Sequence, residues 1–528
     1  MVFKDSSSID QLMKRSDILR FFLKGRLKLS RYAEEAVDDL ETFFTEANGT
    51  LLARGASPGD GARVLSWSLE DDVIHLEIGS EGPIRAHDAL LRLKNGIGRE
   101  LGKKHRLGVR NSYVDLYEIT FSLEYPPVDE LTIPYAASVR FEGMECTLRL
   151  ENVDEVFLRE NYIDRMISLI RDKTAGQHYK GKGEYWEEIW RSPQREIVYQ
   201  NDPTEDMVEK KWIKQGPTKG KWFLRPEITK IMRIMEQIAI NEVLAPLGFQ
   251  EIIASHMVPF EIWIKTGHMA GSPNEFYYVS EPATRDPAAW ETFSDLVKIT
   301  RKVPYEELGK CLAGPRAGIC YAQCPVIYWS FKSETLADDS LPVLLFERTA
   351  NSGRYESGGR HGMERVDEFH RIEPVYIGTK EQMLEIRHKM LDAYKHVFND
   401  ILELEWRMAR VTPFYMQQSG GFGLDDPGSE EETEKSKGTI DFEAYMPYRG
   451  GREDSEWLEF QNFSIVGDKY TRAFNIKSQT KELWSGCSGI GLERWSTAFL
   501  AQYGLSPDSW PSEFRRIYGK MPSGIRFL

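Results

Sequence analysis

The sequence predicts an α+β protein in two folded parts: a larger one that carries a long antiparallel hairpin among helices and further strands, and a separate, smaller α+β domain ahead of it. Three observations carry this. At 528 residues the chain is too long for one core, since a domain takes about 100–200 residues. The stretch Leu344–Thr379, LLFERTANSGRYESGGRHGMERVDEFHRIEPVYIGT, sets two apolar segments around a loop rich in glycine, arginine and glutamate. That is the pattern of a long antiparallel hairpin with charges at its tip. Residues 21–175 mix short strand patterns with amphipathic helices, as a self-contained module would.

Taken in order, residues 1–20 are polar and expected to be loosely ordered. From Phe21, FFLKGRLKLS alternates as a strand, and RYAEEAVDDLETFFTEA follows as an amphipathic helix with Ala33, Ala36, Val37, Leu40 and Phe43 or Phe44 on one side. A turn at Ser57–Asp60 leads to two strands within Val64–Gly79. Pro83 opens a helix to about His105, with Ala86, Ala89, Leu90, Leu93, Ile97 and Leu101 as its buried stripe. Strands from Tyr113 and Ala136 and a helix near Glu155–Lys173 complete the module. Residues 176–220 are charged, contain several tryptophans and lack clear periodicity, so they are expected to be a linker. The larger domain, 221–528, opens with a helix at Arg225-Pro226. It continues through GFQEIIASHMVPFEIW (Gly248–Trp263), a helical insertion at about 285–310, and Cys320-x-x-x-Cys324. After the hairpin come a long helix, an acidic loop around residues 425–434, two strands (GTIDFEAYMPY and EWLEFQNFSIVG), and GCSGIGLERWSTAFLAQYG (Gly486–Gly504). The polar, glycine-rich loop is expected to be mobile, and its role stays open.

Composition narrows the function classes. No run approaches the roughly 18 apolar residues of a membrane span, and the N-terminus lacks a signal-peptide pattern, so the chain is expected in the cytoplasm. With 68 basic and 82 acidic residues, net charge −14, nucleic acid would have to be held by local basic patches. The best candidate is the helix after Pro83. Arg85, Arg92, Arg99 and Arg106 recur every seven residues near one face, with Lys94, Lys103, Lys104 and Arg110 adding charge. A solvated face opposite a core would read the same way. The five cysteines, Cys146, Cys311, Cys320, Cys324 and Cys487, are too few for a disulfide scaffold in a chain of this length, leaving free thiols or metal ligands.

Within the hairpin, Arg354-x-Glu356 precedes Arg365-x-x-x-Phe369, and Glu373 follows. Guanidinium forks suit phosphates and an aromatic ring suits a base, though a charged surface hairpin would also account for the loop alone. Taken with Gly248–Pro259 before it and Gly489, Gly491, Glu493 and Arg494 after it, the hairpin resembles motif 2 of the class II aminoacyl-tRNA synthetases, flanked by motifs 1 and 3. The match is close to the seryl branch, whose Arg-x-x-x-Phe-x-x-x-Glu signature is similar to Arg365–Glu373. The resemblance implies an antiparallel class II catalytic sheet, a homodimer formed through motif 1, and activation of serine with ATP before transfer to the 3′-terminal ribose of tRNA(Ser). It further implies that Arg354 binds the α-phosphate and the substrate carboxylate, that Glu356 accepts from the adenine amino group, and that Phe369 stacks on adenine. Arg365 and Arg494 would hold the γ-phosphate. Glu459 and Asn462 stand where the family binds magnesium and phosphates, while Asn462 and Ser464 stand where it holds serine; Asn462 therefore carries two candidate roles.

No heptad pattern long enough for the coiled-coil arm of common seryl enzymes is present. The α+β N-terminal module instead resembles the methanogen-type seryl-tRNA synthetases, which use that module on tRNA and keep a zinc ion in the active site. Their Cys–Glu–Cys ligands match Cys324, Glu373 and Cys487, which would leave a fourth position for the serine amino group. By spacing alone a buried cysteine is more often a core residue, and Cys320 competes with Cys324. Three alternatives share the catalytic core: an amino acid:carrier-protein ligase, which lacks a tRNA-binding domain; a non-catalytic RNA-binding paralogue, which would be expected to lose a motif arginine; and a threonine enzyme, whose zinc takes one cysteine and two histidines.

Overall fold

Leu19–Leu29 (β1) alternates strictly, with Phe21, Leu23, Leu27 and Leu29 buried between more exposed neighbours, so one face of the strand faces a core. The computed structural model describes residues 19–55, 61–81, 84–178, 186–348, 351–356, 360–411, 438–453 and 455–525. The turn expected at 57–60, Pro83, the N-terminus through residue 18 and the acidic loop 425–434 lie outside them. The chain divides into two units, Met1–Gly183 and Glu184–Leu528.

In the first unit, β1 is joined by β2 (Arg63–Glu70), β3 (Val73–Glu81), β4 (Val109–Ser122), β5 (Ser138–Glu142) and β6 (Glu145–Asp154). They form an antiparallel sheet in the order β2-β3-β1-β4-β6-β5. The helices α1 (Val37–Gly49), α2 (Ala86–His105) and α3 (Tyr162–His178) complete the unit with a short helix at Glu155–Arg159, so the helix expected near Glu155–Lys173 is broken in two at Glu160-Asn161, where Asn161 takes a positive φ. α2 buries Ala86, Ala89, Leu90, Leu93, Ile97 and Leu101, the whole expected stripe, in one core with Leu23, Leu27 and Ile119 of the sheet. Each fully buried leucine there contributes about 2 kcal/mol. The first helix starts at Val37 rather than Arg31; a short 3₁₀ turn at Glu34–Ala36 precedes it, and no side chain caps either start.

The second unit contains β7 (Trp186–Arg191), α4 (Pro226–Ile238), β8 (Gln250–Glu251), α5 (Cys324–Trp329), β9 (Val343–Glu347), β10 (Glu368–Gly378), α6 (Lys380–His396), β11 (Trp406–Val411), β12 (Gly438–Ala444), β13 (Leu458–Gly467), α7 (Lys469–Ala473), β14 (Trp484–Gly491) and α8 (Leu492–Tyr503). The strands order as β8-β9-β10-β14-β13-β12-β11-β7, antiparallel except for the β8–β9 pair. The expected hairpin is β9 and β10, with Glu347 opposite Glu373. Helices α4, α6 and α8 share a core with the sheet, in which Trp406 and Trp495 are fully buried.

Residues 176–220, expected as a linker, fold into this unit from Trp186 onward. β7 pairs antiparallel with β11, Pro203–Glu209 is helical with Met207 buried, and Ile213–Gln215 pairs with Trp222–Leu224. These elements are each too short to show a period, which is why the sequence reads as irregular.

Candidate active site

The central strands β10, β14 and β13 carry most of the predicted residues to one cavity of about 230 Å³. Arg354, Glu356, Phe369, Glu459, Asn462, Ser464 and Arg494 all line it, together with Cys324, Glu373 and Cys487. Arg365 does not. It sits in an adjoining groove, 2.6 Å from Glu456, and that groove shares Glu459 and Arg494 with the main cavity.

Arg354 is held from two sides, donating to Glu356 at 3.0 Å and lying 3.5 Å from Glu275. Burial works against its charge, yet Glu356 and Glu275 keep the guanidinium above its ordinary pKa. The backbone N–H of Glu356 donates to Asp367, whose carboxylate also accepts from Arg360 and Tyr277, each at 2.7 Å. Arg494, in the first turn of α8, donates to the Glu459 carbonyl (2.7 Å), the Glu459 carboxylate (3.1 Å) and the Glu364 carbonyl.

Asn462 accepts the Gly489 N–H on Oδ1 at 3.0 Å. Its carbonyl end is therefore committed, and its NH₂ is the end left to donate. The Ser464 hydroxyl is buried and shares a 2.8 Å hydrogen bond with Thr439. Two glycines of β14 are dictated by close approach. A β-carbon at Gly489 would collide with the Arg371 guanidinium, and one at Gly486 with the Tyr376 ring.

Cys324, at the start of α5, Glu373 on β10 and Cys487 on β14 bring their ligand atoms within 4.8 Å of one another. Burial raises the Glu373 carboxyl above the usual range, opposed by Arg371, whose Nε lies 2.7 Å from Oε2 as an ion pair rather than an aligned hydrogen bond. The Cys487 thiol is pushed well up by its hydrogen bond with Cys324 and by burial. Glu373 and Cys487 resist ionisation in this corner, and a divalent cation would offset that cost. Two soft sulfurs and one carboxylate fit a tetrahedral metal with one open position. Cys320 instead donates to the Ala322 carbonyl and Cys311 to the Ala289 carbonyl, both as buried core thiols.

Several lining residues were not singled out from sequence. Arg371 is legible in the sequence only as a possible salt-bridge partner of Glu373, two positions away on the same strand face, and it makes that ion pair. Glu275 and His268 come from short helical turns, Pro273–Glu275 and His268–Gly271, with no such signal. His268 is fully buried, and burial holds its ring down to about 3, so it is neutral across the physiological range. Lys469 has its Nζ sealed from solvent with no hydrogen bond among the described residues; burial lowers it to about 8, against the pull of Cys324 and Cys487.

His370 is hydrogen-bonded to Glu493 at 2.7 Å, which raises its pKa above the ordinary 6.5. The stabilisation from this pair is fully present below about pH 6.5 and is lost as pH rises through the folded value. Urea unfolding of His370→Gln at pH 5.5 and 8.5 is expected to lose the wild-type drop in stability across that window; an unchanged drop assigns it to other groups.

In the N-terminal unit, Arg85 pairs with Asp164 at 3.0 Å and lies over the Phe21 ring. Arg92 donates to the Leu51 and Arg54 carbonyls. Arg99 and Arg106 are exposed, the latter in the left-handed conformation that ends α2. The seven-residue row is thus half committed to internal bonds.

Residues 19–172 match a family described as a tRNA-binding domain. The chain is 46% identical over 513 residues to a type-2 serine–tRNA ligase of Methanococcoides burtonii, covering 97% of this chain and 100% of that one. It is 45% identical to the enzyme of the same name from Methanothrix thermoacetophila, with coverage of 97% and 100%. Among solved structures, M. kandleri SerRS, crystallised in complex with A. aeolicus tRNASec, superposes with a TM-score of 0.79 at 30% identity, covering 97% of this chain and 99% of that one. Sheet, motif residues and flanking helices define a class II aminoacyl-tRNA synthetase. Within that class the chain belongs to the type-2 serine–tRNA ligase family, and the full-length match displaces the carrier-ligase, paralogue and threonine alternatives. Among the described residues no helix is long and apolar enough to cross a membrane.

Proposed function

We propose that this chain, acting as a cytoplasmic homodimer, joins serine to ATP as seryl-adenylate and passes the seryl group to the 3′-terminal ribose of tRNA(Ser). In this reading Cys324, Glu373 and Cys487 hold zinc, and Mg²⁺ accompanies ATP. What supports it is the meeting, in one cavity, of the motif arginines 354 and 494 with a Cys–Glu–Cys donor set.

A serine carboxylate oxygen attacks the α-phosphorus, and the bond to pyrophosphate breaks. Both partners are anions, so the site must cancel charge and hold them in line. Arg354, pinned by Glu356 and Glu275, does this between nucleophile and phosphate without having to reorganise. Arg494, with Arg365 reaching in from the adjoining groove, carries the leaving pyrophosphate. Glu356 accepts from the adenine amino group and Phe369 stacks on the ring. No general base is needed, because the carboxylate is already ionised at neutral pH. The Asn462 NH₂ donates to the serine hydroxyl, and Ser464 closes the pocket beside it; a donor aimed at that hydroxyl disfavours alanine, which would leave it unpaired. When bound, zinc supplies a Lewis-acid position for the neutral amine of serine and so selects the amino acid. The tRNA 3′ hydroxyl then attacks the seryl carbonyl and AMP leaves.

The test is amino-acid-dependent ATP–pyrophosphate exchange over a panel of amino acids, with metal quantified in the same sample. Serine-only exchange with about one zinc per chain is expected. Absence of exchange with every amino acid would overturn the reading.

The exposed end of the arginine row serves tRNA phosphates. Arg99→Glu with Arg106→Glu is expected to raise the KM for tRNA and flatten its salt dependence by about one contact per arginine, while serine-dependent exchange stays unchanged. An unchanged tRNA KM would make that helix end a solvated surface only.

A further inference from the structure

Helix α7 follows on β13; its Tyr470 lines the cavity at the cysteine corner, and the Lys469 ammonium, 5.7 Å from the Tyr470 ring, feels the charge of Cys324 and Cys487. Tyr470 is buried, and its hydroxyl lies 3.4 Å from the Cys324 sulfur. Its ring stacks on Tyr328, with centroids 4.6 Å apart and planes within 18°. Tyr328 belongs to α5, the helix that begins with Cys324, and its hydroxyl donates to the Gly486 carbonyl at 2.7 Å while accepting the Gly486 N–H at 3.0 Å. The stacked pair thus touches one cysteine directly and grips the backbone immediately before the other. Beside it, the Lys469 Nζ is buried and makes no hydrogen bond among the described residues.

We propose that Tyr470 and Lys469 are positioning residues of the metal centre: the phenol donates to the Cys324 sulfur and holds that thiolate in place, and the ammonium offsets the excess negative charge of the donor set. This rests on the metal reading given above. A metal-bound thiolate carries no proton, so in the 3.4 Å contact the phenol must be the donor. Two thiolates and a carboxylate around a divalent cation leave a net charge of −1, which Arg371 meets on the Glu373 side and not on the thiolate side; a buried ammonium is costly unless an anion answers it. The cysteine corner supplies that anion. Groups that hydrogen-bond to metal ligands fix ligand orientation and tune the metal.

The experiment uses the full-length chain with Zn²⁺ and with Co²⁺ as a spectroscopic substitute. Tyr470→Phe keeps the ring and its stack and removes only the hydroxyl. Its zinc Kd, by chelator competition, is expected to rise about 10–100-fold, and its thiolate-to-cobalt absorption band to shift, with the thermal unfolding of the metal-free chain unchanged. Lys469→Met is expected to weaken zinc in the same direction, and Lys469→Arg to restore part of the loss. Wild-type Kd and band position in both Tyr470→Phe and Lys469→Met would overturn the inference while leaving the metal site intact. Failure of the wild-type chain to bind zinc or cobalt would overturn the metal reading and this inference with it.

Discussion

Cys487→Ala is expected to lose bound zinc and serine-dependent pyrophosphate exchange together. Cys487 sits mid-strand on β14, opposite Val375 of β10 and Ser464 of β13, so alanine keeps the backbone register and deletes only the sulfur. With it goes one of the three proposed protein ligands, leaving Cys324 and Glu373, too few to hold a tetrahedral ion with one open position. Perturbing a group outside the ligand set costs about 10–100-fold in affinity or activity, and removing a ligand should exceed that. ATP binding is expected to survive, because Arg354 and Arg494 are anchored by Glu356, Glu275 and Glu459 rather than by the metal corner. Normal exchange by a zinc-free Cys487→Ala chain would remove the metal from the reaction.

Arg354→Ala is the complementary case: exchange falls by about 10²–10³-fold in kcat with zinc content unchanged, the cost of deleting one preorganised charge at a developing anion. Two effects add. The guanidinium proposed to bridge carboxylate and phosphate is gone, and Glu356 and Glu275 are left facing incoming anions without their counter-charge. Arg354→Lys is expected to recover little, because a single ammonium cannot replace a fork that meets both carboxylates and substrate oxygens. A loss below about tenfold for Arg354→Ala would reduce the residue to a structural ion pair.

Much of the candidate site was legible through the family resemblance, whose motifs show in the chain because their residues lie close together on regular elements. Arg354, Glu356, Phe369 and Glu373 share one hairpin, and the Gly489–Arg494 run joins a strand to a helix, so short-range pattern carried them. The buried stripe of α2 was legible for the same reason: every member recurs at helical spacing on one face. Residues 186–220 were not, since an edge strand and one-turn elements are too short to carry a period, and they are held by β11 and the core rather than by their own pattern.

By itself, then, the sequence determined most of the longer elements and which face of each is apolar, and through its motifs which charged residues are candidates for the chemistry. Tertiary structure alone decided which of them meet. Adjacency of β10, β14 and β13 in the sheet brings Glu373, Cys487 and Ser464 to one wall, although they are far apart in sequence. It leaves Arg365 in a neighbouring groove, commits the Asn462 carbonyl to the Gly489 N–H, and ties Arg85 and Arg92 into the N-terminal unit. The physical reason is range. Side-chain periodicity is a local property of the backbone, whereas a hydrogen bond between strands is decided by register and closure over hundreds of residues.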